Sequence, residues 1–174
     1  GLTVSPSGNK VAHALQKADM IYFYDIAADG SLIMKSEQLK SYPQYRYDAA
    51  IIERDSPLYY MSICSTEEYV YTLYSGRNYK DDKDKAFYGN WIRVYNWDGM
   101  LVKQLQLDID VCQFVVTQDN QEIYAISYLP DPVLVGRPVC IQSSGLCAGT
   151  CSWWRDCRFY EYPYVQCTAA GNAV

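Results

Sequence analysis

Short β-branched and aromatic runs recur along this chain at matching positions, each led in by a polar turn, and that recurrence leaves few folds open. Ser5-Pro6-Ser7-Gly8-Asn9-Lys10 precedes Val11 to Leu15, Ser65-Thr66-Glu67-Glu68 precedes Tyr69 to Tyr74, and Gln118-Asp119-Asn120-Gln121 precedes Glu122 to Tyr128. Val11, Val70 and Ile123 then occupy equivalent places, at spacings of 59 and 53 residues. The next runs match as well: Ile21-Tyr22-Phe23-Tyr24-Asp25 stands against Ile92-Arg93-Val94-Tyr95-Asn96, and each leads to an Asp-Gly pair, Asp29-Gly30 and Asp98-Gly99. Asp-Gly between apolar runs is a hairpin signal, because glycine supplies the positive φ that tight turns need. Ser31 to Leu39 and Met100 to Leu107 continue as the following strands, and Cys112 to Val116 begins another unit. A helical reading fails: the runs are short, and turn residues return every eight to twelve positions.

Repeats of about 40–50 residues with four short strands each predict propeller blades. A blade packs on a neighbour through each face, so its strands are apolar on both sides. Tyr-Phe-Tyr at 22–24 and Val-Tyr-Thr-Leu-Tyr at 70–74 fit that better than strict alternation does. The fold class expected is all-β: antiparallel four-stranded propeller blades over residues 1–135, about three in number. A closed ring needs at least four, so the chain reads as a partial ring. The segment from Gly76 to Asn90, with the charge run Asp81-Asp82-Lys83-Asp84-Lys85, is expected as a solvated loop between two strands of one blade.

The end of the chain is different. Cys140, Cys147, Cys151, Cys157 and Cys167 lie in the last 35 of 174 residues, while the rest holds Cys64 and Cys112 alone. From Gly136 onward blade character is lost, and residues 136–174 read as a Cys- and aromatic-rich tail. Three accounts stand open: an end with no evolved structure, a disulfide-stapled appendage, or a metal-binding tail using Cys147, Cys151, Cys157 and Cys167.

Composition narrows the function classes. The net charge is −5, which argues against binding a nucleic-acid backbone. No apolar run reaches the length of a membrane span. Phosphate-cradling glycine loops and a Gly-x-Ser-x-Gly elbow are absent from the sequence, and no cofactor is implied. The single histidine, His13, lies in an apolar strand, where packing competes with catalysis as its role. Asp25, Asp29, Asp98, Asp108, Asp110, Asp119 and Asp131 sit near expected strand ends. There they either cap their own turns or converge at a channel mouth as metal ligands and acid–base groups. Tyrosine is the outlier, 18 residues against four phenylalanines. It serves as strand filler or as a polar-tipped binding face. Tyr42, Tyr45, Arg46 and Tyr47 together form the candidate ligand-binding surface; Tyr59-Tyr60 and Trp91 with Trp97 are similar in kind.

The quoted motifs at 5–10, 21–25, 92–99 and 119–126 resemble the TolB-like six-bladed β-propeller proteins of the Bacteroides type, over roughly residues 2 to 135, as their C-terminal portion. The resemblance implies a propeller, often exported and hence periplasmic or at the cell surface, and brings no catalytic residues. The function expected is a non-catalytic binding or interaction scaffold for an unknown protein, peptide or glycan, with self-association through open blade faces as a further expectation. The alternatives are a metal-dependent lyase or hydrolase using channel carboxylates, and a truncated fragment without independent function.

Overall fold

The computed structural model describes residues 1–42, 56–129 and 132–138. Three antiparallel sheets follow one another along the chain. Blade one is the meander β1 (Leu2–Val4), β2 (Lys10–Ala14), β3 (Asp19–Ile26) and β4 (Leu32–Ser41), in that spatial order. Blade two repeats it with β5 (Leu58–Ser65), β6 (Tyr69–Arg77), β7 (Gly89–Asn96) and β8 (Leu101–Val111). Blade three comprises β9 (Gln113–Val116), β10 (Glu122–Ser127) and β11 (Val133–Pro138) among the described residues. β11 continues through Gly136, so sheet structure runs three residues past the boundary expected at 135.

The equivalence of Val11, Val70 and Ile123 is visible in the turns. Ser5, Thr66 and Thr117 each donate a backbone N–H that closes the first hairpin of a blade, onto the carbonyls of Lys10, Tyr69 and Glu122. The next residue is Val11, Val70 or Ile123. The same three hydroxyls accept backbone N–H groups from across the turn, from Lys10, Tyr69 and Glu122. Hydroxyl side chains at this place satisfy donors that a tight turn would otherwise leave unpaired. The second hairpins match too: Val11 faces Tyr24 as Val70 faces Tyr95, and Gly30 and Gly99 adopt φ of 84° and 86°.

First strands lie side by side around a common axis, β5 next to β1 and to β9. Thr3 Oγ1 meets Ser65 Oγ at 2.8 Å, and Ser65 Oγ donates to the Val4 carbonyl. Blade two is consequently covered on both faces. Along β6 and β7, Val70, Tyr95 and Trp97 pack toward blade one with Ala12, Ala14, Ile21 and Phe23. The alternate residues Tyr71, Leu73, Ile92 and Val94 pack toward blade three with Phe114, Val116, Ile123 and Ala125. The period of two along a strand sorts one sequence into two cores.

Three details depart from expectation. β5 is a strand where the sequence signals none; its Ser, Met and Cys residues are weak strand formers, and its pairing with β6 carries two register shifts. The segment after β6 is not a plain loop. A short helix, α1 (Tyr79–Asp82), leads into a 3₁₀ turn over Lys83–Phe87. Asn78 caps it by accepting from the Asp81 N–H, and Ala86 is buried while its carbonyl accepts from Ser75 Oγ. The charge run itself is mostly exposed, as expected. Finally, β8 extends to Val111, so Asp108 and Asp110 lie within its last four residues and not beyond its end.

Candidate functional site

The seam between blades one and two holds the densest group of polar side chains buried in the described structure. Asp19 opens β3 in blade one, and the 15–18 loop before it is pinned because the Tyr59 N–H donates to the Gln16 carbonyl at 2.8 Å. Asp19 Oδ1 accepts from Tyr60 Oη at 2.7 Å and from Arg93 Nη1 at 3.0 Å, and Oδ2 accepts from Tyr74 Oη at 3.3 Å. Because the Tyr60 proton goes to Asp19, the 3.3 Å contact between Tyr60 and Tyr95 hydroxyls uses the Tyr95 proton. The guanidinium of Arg93 lies 3.4 Å over the Tyr74 ring, a cation–π contact inside the seam.

Asp19 is 5 % exposed and Arg93 7 %. Burial raises the Tyr60, Tyr95 and Tyr74 phenols above their ordinary value. Asp19 thus collects hydrogen bonds from two phenols and one guanidinium. The group ties β3 of blade one to β5, β6 and β7 of blade two. The sequence carried one signal of it: an arginine within an otherwise apolar strand, in a sheet buried on both faces, requires a buried partner. Nothing local identifies that partner as Asp19, 74 residues away.

The expected ligand-binding surface is reached only at its edge. Tyr42 follows β4 and is 72 % exposed. Tyr45, Arg46 and Tyr47 lie outside the described residues, as do Cys140, Cys147, Cys151, Cys157 and Cys167. Of the two comparable aromatic pairs, Tyr60 and Trp97 are buried in the first seam. His13 stacks against Tyr22 with ring centroids 6.3 Å apart, and desolvation lowers its pKa.

Four of the carboxylates expected near strand ends have identified partners. Asp29 accepts from the Ser31 hydroxyl and N–H, and Asp119 from the Thr117 hydroxyl and the Gln121 N–H; these bonds hold both below the ordinary carboxylate value. Asp98 pairs with Lys35 at 2.8 Å, which ties the second hairpin of blade two to β4 of blade one. Asp110 pairs with Arg77 at 2.7 Å. Asp131 lies outside the described residues. Among the described residues, no three His, Cys, Asp or Glu side chains are grouped so as to hold a metal ion, and no helix is long and apolar enough to cross a membrane.

No curated protein matches the chain. Among solved structures, the Dos1 propeller is similar at 12 % identity, covering 80 % of this chain and 33 % of its own, with a TM-score of 0.41. This chain therefore spans about a third of that structure's length. The family model of TolB-like 6-blade propeller-like proteins matches residues 5–119, from the first hairpin of blade one to the first hairpin of blade three, and the chain belongs to that family.

Proposed function

We propose that this protein is a non-catalytic binding or interaction scaffold of β-propeller type, and that its partner is a protein, peptide or glycan held on the aromatic surface around Tyr42, Tyr45, Arg46 and Tyr47. The observation that carries this reading is the employment of the buried polar groups. Asp19, Arg93 and three tyrosines are used in joining sheets, while Tyr42 stands open to solvent at the end of β4. An aromatic ring beside a cation suits stacking on a sugar face or a peptide. Export to the periplasm or cell surface accompanies the reading, by family. So does a division at about residue 135 between blades and a Cys-rich tail, which limited proteolysis without reducing agent would define as a resistant core ending near Val135. Self-association through blade faces is part of the same reading.

The test is a glycan array and an affinity pulldown against soluble envelope proteins, with the full chain as bait. A hit that loses at least tenfold in affinity in the Tyr42→Ala/Tyr45→Ala/Tyr47→Ala variant is the expected result. Uniformly negative arrays and pulldowns, or a hit indifferent to the triple change, would refute the assignment.

A further inference from the structure

The outer rim of the seam between blades one and two carries an exposed apolar patch. In both blades the strand after the second hairpin opens on apolar residues: Leu32, Ile33 and Met34 after Gly30, and Met100, Leu101 and Val102 after Gly99. Each of the six is between 39 % and 61 % exposed. The two triplets adjoin, because Lys35 Nζ meets Asp98 Oδ1 at 2.8 Å and Gly99 lies against Ser36 and Phe23. Register sets the sides. Ile33 pairs with Asp25, two residues from Phe23, and so lies on the side of blade one that meets blade two. Leu101 pairs with Tyr95, on the side of blade two that meets blade one. Ile33 and Leu101 therefore stand on the two walls of one groove, where the blades diverge at the rim.

β4 is also the last strand of its sheet, so one edge of its backbone has no neighbouring strand among the described residues. First strands line the axis and fourth strands the rim; further blades of a ring add at the faces and leave this edge clear. Edge strands ordinarily carry charge that discourages pairing. Here Lys35, the extra residue of a bulge, turns to Asp98, and the three residues before it are uncharged. We propose that this edge and groove dock a short extended segment of another protein, which pairs with Leu32–Met34 as an added strand and sets alternate apolar side chains between Ile33 and Leu101. Three observations select that occupant. Six side chains at these exposures make a patch of roughly 500 Å², more than scattered surface residues give and less than the ~800 Å² per partner of a stable dimer. The bulge ends regular pairing at Met34, so the segment is short. The chain carries a net charge of −5, and around the groove Asp25, Asp29, Glu37 and Asp98 outnumber Lys10 and Lys35, so the segment has lysine or arginine beside its apolar residues. This surface lies at the opposite end of β4 from Tyr42 and stands whether or not the aromatic surface binds.

The test is selection from a phage-displayed library of random short peptides, with the full chain as bait, followed by titration of the strongest peptide in synthetic form. Selected peptides should share apolar residues at alternate positions with Lys or Arg beside them. Binding should slow hydrogen exchange over residues 31–36. Ile33→Lys and Leu101→Lys, each alone, should lower the affinity at least tenfold, while Tyr42→Ala/Tyr45→Ala/Tyr47→Ala leaves it unchanged. Both sites are exposed, so the fold should survive the changes; Ile33→Gln and Leu101→Gln replace them if circular dichroism shows otherwise. Failure to select any peptide, binding indifferent to both changes, or a loss confined to the tyrosine variant overturns the proposal. So does slow exchange over residues 31–36 in the free chain, which would mean that the edge is already covered by another part of the chain or by a second copy.

Discussion

The seam between blades one and two is keyed by an ion pair and three phenols, whereas the seam between blades two and three is filled by aliphatic and aromatic side chains with a polar pin at its rim. That pin is Asn120, at φ 60°, whose Oδ1 accepts from Thr66 Oγ1 and Tyr71 Oη. The contrast separates two jobs. Apolar contact is non-directional and stabilises in proportion to the area removed from water, about 25 cal/mol per Å². A buried carboxylate with three donors is satisfied in one arrangement only, and any slide of blade one over blade two leaves charge unpaired. The second hairpin of blade two favours the same arrangement: at Gly99, with φ 86°, a Cβ would collide with Ser36 Oγ and press on the Phe23 ring.

Breaking the pair should have the largest effect. Asp19→Ala strands a buried guanidinium, and a loss of about 3–5 kcal/mol is expected in urea denaturation. Arg93→Met strands the carboxylate with a similar loss. The double variant Asp19→Leu/Arg93→Met should recover much of it, because it removes both charges. If the double change costs the sum of the singles, the pair is no coupled tie and the contrast between seams fails.

Leu73→Ala is the counterpart in the second seam. It removes apolar contact from a fully buried site and leaves a cavity, at about 2–5 kcal/mol. This loss should hold equally at pH 6 and pH 9 and at low and high salt, since no charge takes part. A loss that varied with salt would bring the two seams closer in kind.

Alkaline pH should act more strongly on the first seam. Burial raises Tyr60, Tyr95 and Tyr74 there, against Tyr71 in the second. A folded-state phenol above its unfolded value of 10 contributes stability that is complete below pH 10 and is lost as pH rises from 10 toward the folded value. Denaturation curves should therefore weaken steeply above pH 10. Tyr95→Phe, which removes a titrating phenol and one hydroxyl contact, should flatten that fall; an unchanged slope would show that Tyr95 does not contribute to it.

How much of this was legible follows from distance along the chain. The three hairpins beginning at Ser5, Thr66 and Thr117 close over a few residues, so their turn chemistry and the strands they join could be read directly. The two-faced burial of 70–74 could also be read, because it is a local pattern. β5 was hidden by its polar small residues and its bulges. The helical turn at 79–87 was hidden because its charges dominate the composition, while the single buried Ala86 that anchors it carries no signal. The Asp19–Arg93 tie was half legible: Arg93 announces a need, but the need is met across a gap that only the packing of two blades closes. Of the binding surface, Tyr42 alone lies among the described residues, and its exposure follows from its place just beyond a strand end.

The smallest effect is the one that best isolates the second seam. Cys64 packs against the apolar core between blades two and three, and burial pushes its thiol up to about 12. A thiol reacts as the thiolate, so at pH 8 iodoacetamide should label Cys64 far more slowly in the folded chain than in urea, read at that peptide by mass spectrometry. Labelling then requires local opening of the seam, and its rate reports the free energy of that opening. Leu73→Ala should raise the rate. Asp19→Ala loosens blade one instead and should leave the rate nearly unchanged under conditions where the chain stays folded. Equal acceleration by both variants would mean that the two seams open as one unit, and the division of labour between them would then describe their chemistry but not their dynamics.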